Sequence, residues 1–181
     1  PDVSTPIDSF IVAALKAKGL DLSPPADRYT FIRRVTFDLH GIPPTFEQVQ
    51  EFEADESPDA HERLIDRLVA SPLYGQRWAR HWLDVARYAD TKGYVFTAEP
   101  RYPYSYTFRD YVVDAFNADK PFDQFVIEQL AADQLGLPAN DPALAAMGFL
   151  TVGRRFLNNN HDINDDRIDV VSRGFLGLTV T

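Results

Sequence analysis

The run RWARHWLDVARYADTKGY, Arg77–Tyr94, sets His81 three residues before Asp84. On a helix this spacing puts an imidazole and a carboxylate on one face, within reach of each other. A histidine oriented by an aspartate is a common form of general base. A nucleophilic relay would also need a serine or cysteine, and the run has neither. The spacing is not H-E-x-x-H, so a zinc-protease helix is not indicated. A structural role accounts for the same residues. Trp78, Trp82, Val85 and Ala89 form an apolar stripe, and Arg77, His81, Asp84 and Tyr88 a neighbouring one. Arg80, Asp84 and Arg87 stand at ion-pair spacing. The C-terminal end, Tyr88-Ala89-Asp90, runs into a loop and keeps the stronger claim to function.

That loop continues as YVFTAEPRYPYSYTFRDY, Tyr94–Tyr111. Tyrosines join a flat apolar face to a hydroxyl, which suits sugar rings and protein partners. Tyr88, Tyr94, Tyr102, Tyr104 and Tyr106 are therefore candidate ligand contacts. Arg101 and Arg109 add bidentate anion contacts. Compact loops also bury their own aromatics to become ordered, which is the structural alternative. Asp84, Asp90, Glu99 and Asp110 supply carboxylates for acid–base chemistry. Glycoside hydrolysis would need two of them about 5–5.5 Å apart for retention or roughly 6.5–9.5 Å apart for inversion. The spacing selects no pair.

A third constellation is NNNHDINDDRID, Asn158–Asp169. Asp162, Asp165, Asp166 and Asp169 recur at helical spacing and are candidate metal ligands, with Asn158, Asn160 and His161 nearby. The pattern departs from an EF-hand: Ile163 stands where its loop needs glycine, and Asp169 where it needs a bidentate glutamate. A helix start explains the acids equally well. Asn164 or Asp165 would cap it, acids favour its positive end, and Arg154, Arg155 and Arg167 would neutralise the rest. Glycines are scattered, so no phosphate-cradling loop supports a nucleotide site.

These residues need elements to hold them, and helix punctuation dominates. Thr5-Pro6 with Asp8 opens a helix to about Lys18, with Gly19 as its stop. Pro24-Pro25 opens a second that ends at Gly41, and Thr45 caps a third. Ser57-Pro58 and Ser71-Pro72 open two more, the latter running to about Ala89. Asp90–Tyr104 is a loop with an extended piece at Tyr94-Val95-Phe96. Helices follow from Ser105 to Asn117, from Pro121 and from Asp141-Pro142. Asn158–Asn164 is a polar loop, and the last helix begins near Asp165. No alternating strand pattern is convincing. The fold class is mostly α: one multi-helix globular domain over residues 1–181, with about eight or nine helices and one long aromatic-rich loop.

Bulk properties exclude several classes. The chain has 181 residues, is 45% hydrophobic and 25% charged, and carries a net charge of −9. Nucleic acid would call for clustered basic residues, so it is not an expected partner. No apolar run is long enough for a membrane span. Without cysteine there is no disulfide, thiolate metal site or covalent haem attachment in this chain. The abrupt start and the apolar end GFLGLTVT read as the ends of a fragment of a larger polypeptide.

Several long strings share one resemblance: RRVTFDLHGIPPT (Arg33–Thr45), LVASPLYGQRWARHWLDVARYADTKGY (Leu68–Tyr94), YPYSYTFRDYVVDAFNADKPFDQFVIEQLAADQL (Tyr102–Leu135), MGFL (Met147–Leu150) and DDRIDVVSRGFLGLTVT (Asp165–Thr181). Together they resemble the planctomycete cytochrome-associated domain of PSCyt2 type, domain of unknown function family 1549. The resemblance covers nearly the whole chain. It implies an exported, periplasmic or cell-surface multidomain protein, with neighbouring domains as partners. It also implies a c-type haem in the parent protein rather than in this chain, and links to polysaccharide breakdown and electron transfer. In many members the equivalent of GFLGLTVT runs into a C-x-x-C-H motif, which this chain lacks. The resemblance assigns no catalytic residue.

Two functions are expected from this. One is a non-catalytic binding or scaffold module that presents a carbohydrate or a neighbouring haem. The other is a glycan-active hydrolase using paired carboxylates, with Asp84, Asp90, Glu99, Asp110 and the Asp162–Asp169 group as candidates; His81 is a further candidate catalytic residue.

Overall fold

The computed structural model describes residues 5–92, 101–154 and 158–180. Among these lie nine α-helices: α1 (Pro6–Lys16), α2 (Arg28–His40), α3 (Phe46–Ala54), α4 (Ala60–Val69), α5 (Pro72–Val85), α6 (Ser105–Asn117), α7 (Phe122–Ala131), α8 (Gly148–Thr151) and α9 (Asn160–Leu176). Two 3-10 turns, Ala132–Gln134 and Pro142–Met147, join α7 to α8. The described residues contain no strand beyond an isolated antiparallel bridge between Thr91 and Arg101. No described helix is long and apolar enough to cross a membrane.

Most helix starts follow from local chemistry. Thr5 and Asp8 form a capping box at α1, and Thr45 and Gln48 another at α3. Each satisfies amide groups that the first turn leaves without partners. Gly41 ends α2 in the left-handed region, at φ 75°. Several boundaries differ from the sequence expectation: α4, expected from Ser57-Pro58, starts at Ala60 after Asp59, and Asp141-Pro142 opens a 3-10 turn rather than an α-helix. Helix α2 starts at Arg28, because Asp27 accepts a hydrogen bond from the Thr30 amide at 2.7 Å and caps it there; Pro24 and Pro25 precede it outside any helix. Helix α9 starts at Asn160, not near Asp165, with Asn159 accepting from the His161 amide at 3.1 Å. The polar run is thus largely helix, anchored inward by buried Ile163. Helix α5 stops at Val85 rather than near Ala89. There Arg87 adopts φ 57°, and the Tyr88 amide reaches back to the Leu83 carbonyl at 2.9 Å. This left-handed stop is one that glycine usually serves, so an arginine gave no warning of it.

Two apolar clusters form the interior. The smaller joins Ile32 of α2, Phe52 of α3 and Ala60, Leu64 and Leu68 of α4. The larger gathers Ala79, Phe108, Tyr111, Val112, Phe125, Phe149 and Val170, with Trp82 packed against it. Helices α5 and α6 approach closely because α5 presents small residues, Gly75 and Ala79. A Cβ on Gly75 would run into the Val113 carbonyl and Asn117 of α6 at 2.5 Å. Asn117 uses this closeness: its side-chain oxygen accepts from the Gly75 amide at 2.8 Å, satisfying a first-turn donor of α5.

The link from α3 to α4 shows how polar groups fix a turn. Asp55 takes hydrogen bonds from the Ser57 hydroxyl and amide and pairs with Arg63. These contacts, Ser57 foremost, hold its carboxyl down at about 2, against an ordinary 3.8. Its contribution to stability is therefore complete above pH 3.8 and is lost as pH falls through about 2. A carbon-detected NMR titration should place the Asp55 midpoint well below the ordinary 3.8. A midpoint at the ordinary value would show that the Ser57 contacts do not form in solution.

Candidate functional site

Helices α5 and α6 flank a cleft of about 520 Å³ that gathers several sequence candidates. Arg80, Leu83 and Asp84 line it from α5, Tyr88 from just beyond, and Arg109 and Asp110 from α6. Tyr106 lies one helical turn before Arg109 and Asp110, and is 46% exposed. Arg109 donates from Nε and Nη2 to one oxygen of Asp110, at 2.9 and 2.7 Å. Asp84 has no ion-pair partner among the described residues and faces solvent. His81 is exposed, and its ring packs on Trp78 at 5.5 Å between centroids rather than on Asp84. The imidazole–carboxylate pair allowed by spacing is not formed.

Asp90 does not line the cleft but holds Tyr88, which does. The Tyr88 hydroxyl and the Ser105 hydroxyl both donate to its Oδ1, at 2.8 and 2.9 Å. The Asp90 carbonyl accepts from the Tyr102 amide at 2.7 Å. With the Thr91–Arg101 bridge, these bonds tie the two ends of the aromatic loop together. Tyr88 and then Ser105 hold the Asp90 carboxyl below its ordinary 3.8. Burial pushes the Tyr88 phenol up, and its bond to Asp90 adds to this. Ser105 carries no signature of this role in the sequence. Tyr104 occupies the cap position of α6 without a side-chain bond, and the Ser105 hydroxyl lies 2.9 Å from Asp90 and 3.2 Å from the Tyr102 carbonyl.

The remaining tyrosines divide. Tyr102 is half-buried, and its hydroxyl donates to the Gly153 carbonyl at 2.7 Å. Tyr104 stands 72% exposed, and Arg101 is also on the surface. Tyr94 and Glu99, with the proposed extended piece around them, lie outside the described residues.

The acidic run does not act as one unit. Asp166 pairs with Arg87, and Asp169 takes both its hydrogen bonds from Arg173, at 2.8 and 2.6 Å. Both pairs face a second cavity, of about 470 Å³, together with Gly153 and Arg154. His161, Asp162 and Asp165 could converge on an ion, their ligand atoms lying within 4.8 Å of one another. They are already engaged: His161 Nδ1 lies 2.9 Å from Asp165, and Asn159 donates to Asp162 at 2.9 Å. Thus two of the four candidate metal ligands stand with His161 and two serve ion pairs.

The whole-chain pattern now has an external match. A family model described as PSCyt2, protein of unknown function (DUF1549), matches residues 6–181. The chain belongs to this family. No curated protein and no solved structure matches it. A family of unknown function brings no activity with it, so the chemistry open to this PSCyt2 chain is that of its own clefts.

Proposed function

We propose that this PSCyt2 chain is a non-catalytic binding module whose α5–α6 cleft takes a carbohydrate. The partners of two carboxylates carry this reading. Asp110 accepts two hydrogen bonds from Arg109, and Asp90, which holds Tyr88 at the edge of the cleft, is kept below its ordinary value by two hydroxyl donors. A glycosidase needs one carboxyl held protonated as its acid. What the cleft offers instead is a row of hydrogen-bonding groups, Arg80, Asp84, Arg109 and Asp110, beside the apolar faces of Leu83 and Tyr88. Sugars are recognised by this mixture of planar polar groups and flat apolar surfaces. The exported, cytochrome-associated setting implied by the resemblance fits the reading, with neighbouring domains of the parent protein, a haem-bearing one included, as partners.

A glycan array probed with the wild-type chain and with Arg80→Ala and Arg109→Ala tests it. Both residues are exposed, so the variants should fold. Each substitution is expected to weaken binding about ten-fold, the loss of roughly one good polar contact. Retention of no glycan would end the carbohydrate reading. Release of sugar that depends on Asp84 would replace it with the hydrolase.

A further inference from the structure

A separate cavity sits where the end of α6 meets α5 and α7. It measures about 250 Å³ and shares no lining residue with the α5–α6 cleft. Five aromatic side chains wall it: Tyr74, Trp82, Phe116, Phe122 and Phe125. The walls are fixed. The Trp82 indole donates to Gln129 at 2.7 Å, and its ring meets Phe125 edge-on at 5.1 Å. Phe116 meets the same Phe125 ring at 6.2 Å. Phe122, by contrast, is 67% exposed at the mouth.

The charges around this cavity are of one sign where they are not cancelled. Asp119 lines it directly after the C-terminus of α6, with φ 48°. A carboxylate there is unfavourable, because the last carbonyls of a helix already carry partial negative charge. Asp119 has no ion pair among the described residues that would offset this. The cation that lines the cavity, Lys120, is cancelled: its Nζ binds buried Glu128 and lies 5.1 Å from the centre of the Tyr111 ring. What remains is an unpaired carboxylate and a helix C-terminus facing aromatic rings, in a chain of net charge −9.

We propose that this cavity is an aromatic cage for a small alkylated ammonium ion. Aromatic faces attract a cation through their quadrupole, and a quaternary ammonium brings methyl groups that do not need to be hydrated. The cavity volume suits such a head group rather than a larger ligand. Asp119 supplies the countercharge at the rim. Phe122 closes the mouth.

Choline and its neutral isostere 3,3-dimethylbutanol separate charge from shape. The chain has two tryptophans, so the indole N–H signal of Trp82 can be assigned with Trp78→Phe and followed by NMR. Choline is expected to shift it saturably, and the isostere to bind about ten-fold more weakly. Asp119→Asn should weaken choline about three-fold, as befits a solvent-exposed charge. Phe122→Ala should weaken it further, and both exposed variants should keep the wild-type melting temperature. Equal binding of the isostere would overturn the cage, as would an unmoved Trp82 signal. So would choline binding unchanged by both substitutions. These results are independent of whether the α5–α6 cleft binds a glycan.

Discussion

Replacing Glu128 by alanine is expected to cost about 3–5 kcal/mol, the loss typical of breaking a buried ion pair from one side. For a domain of this size that lowers the melting temperature by about 10 °C. Glu128 is 3% exposed, yet three donors converge on it. Tyr111 reaches its Oε2 at 2.7 Å, Lys120 binds the same oxygen, and Gln124 donates to Oε1 at 2.9 Å. Alanine would strand the Lys120 ammonium and the hydroxyl of buried Tyr111 without an acceptor. Glu128→Gln keeps an acceptor for Tyr111 and loses the charge, so it should cost less. The pH dependence separates the two effects. Burial alone would raise the Glu128 carboxyl, but Lys120, Tyr111 and Gln124 together outweigh it and hold the group below its ordinary 4.5. With the folded value depressed, the stabilisation is complete above pH 4.5 and disappears as pH falls through the folded value. Urea unfolding across this range should show wild type and Glu128→Gln converging in acid. A constant gap between them would mean that the ion pair contributes nothing.

Asp166→Ala is expected to cost about 2–3 kcal/mol, and the loss should be largely cancelled by a second change at Arg87. Arg87 holds the left-handed position that stops α5, where glycine would be the unstrained choice. Its Nε and Nη2 are buried without a hydrogen-bond partner, so Asp166 is the contact that justifies the guanidinium there. The pair closes against Gly153, where any Cβ would collide with the Asp166 carboxylate. Arg87→Gly alone trades relief of backbone strain against a stranded Asp166, whose side chain is 14% exposed. The double variant removes both charges and keeps the turn. A double-mutant cycle in urea should therefore give a coupling of about 2 kcal/mol. Additive single effects would show that the pair is an incidental neighbour contact.

These two networks also mark where sequence reading stops. Helix α6 was legible from Ser105 to Asn117, because a proline-rich loop and a polar stop bracket a periodic apolar pattern. The caps at Thr5, Thr45 and Ser71 were legible because an N-cap acts on amides within three residues of itself. The ends of α5 and α9 were not. Arg87 adopts a glycine conformation because Asp166, far along the chain, holds it, and Asn160–Asn164 is helical because Ile163 finds the interior.

The candidate site divides along the same line. Composition and pattern by themselves determined a mostly helical domain, its family strings, and a short set of polar and aromatic residues near the end of α5. These are properties of neighbours in sequence, and helical spacing reports them. Only the tertiary structure decided which of those residues meet. It set Tyr88 and Ser105 on Asp90, joined Asp84 to Arg109 and Asp110 in one cleft, and gave Asp166 and Asp169 to arginines. It also built an aromatic cavity from three helices that no single stretch announced. Charges and rings act over a few ångströms, and in a folded chain that distance is set by how helices pack.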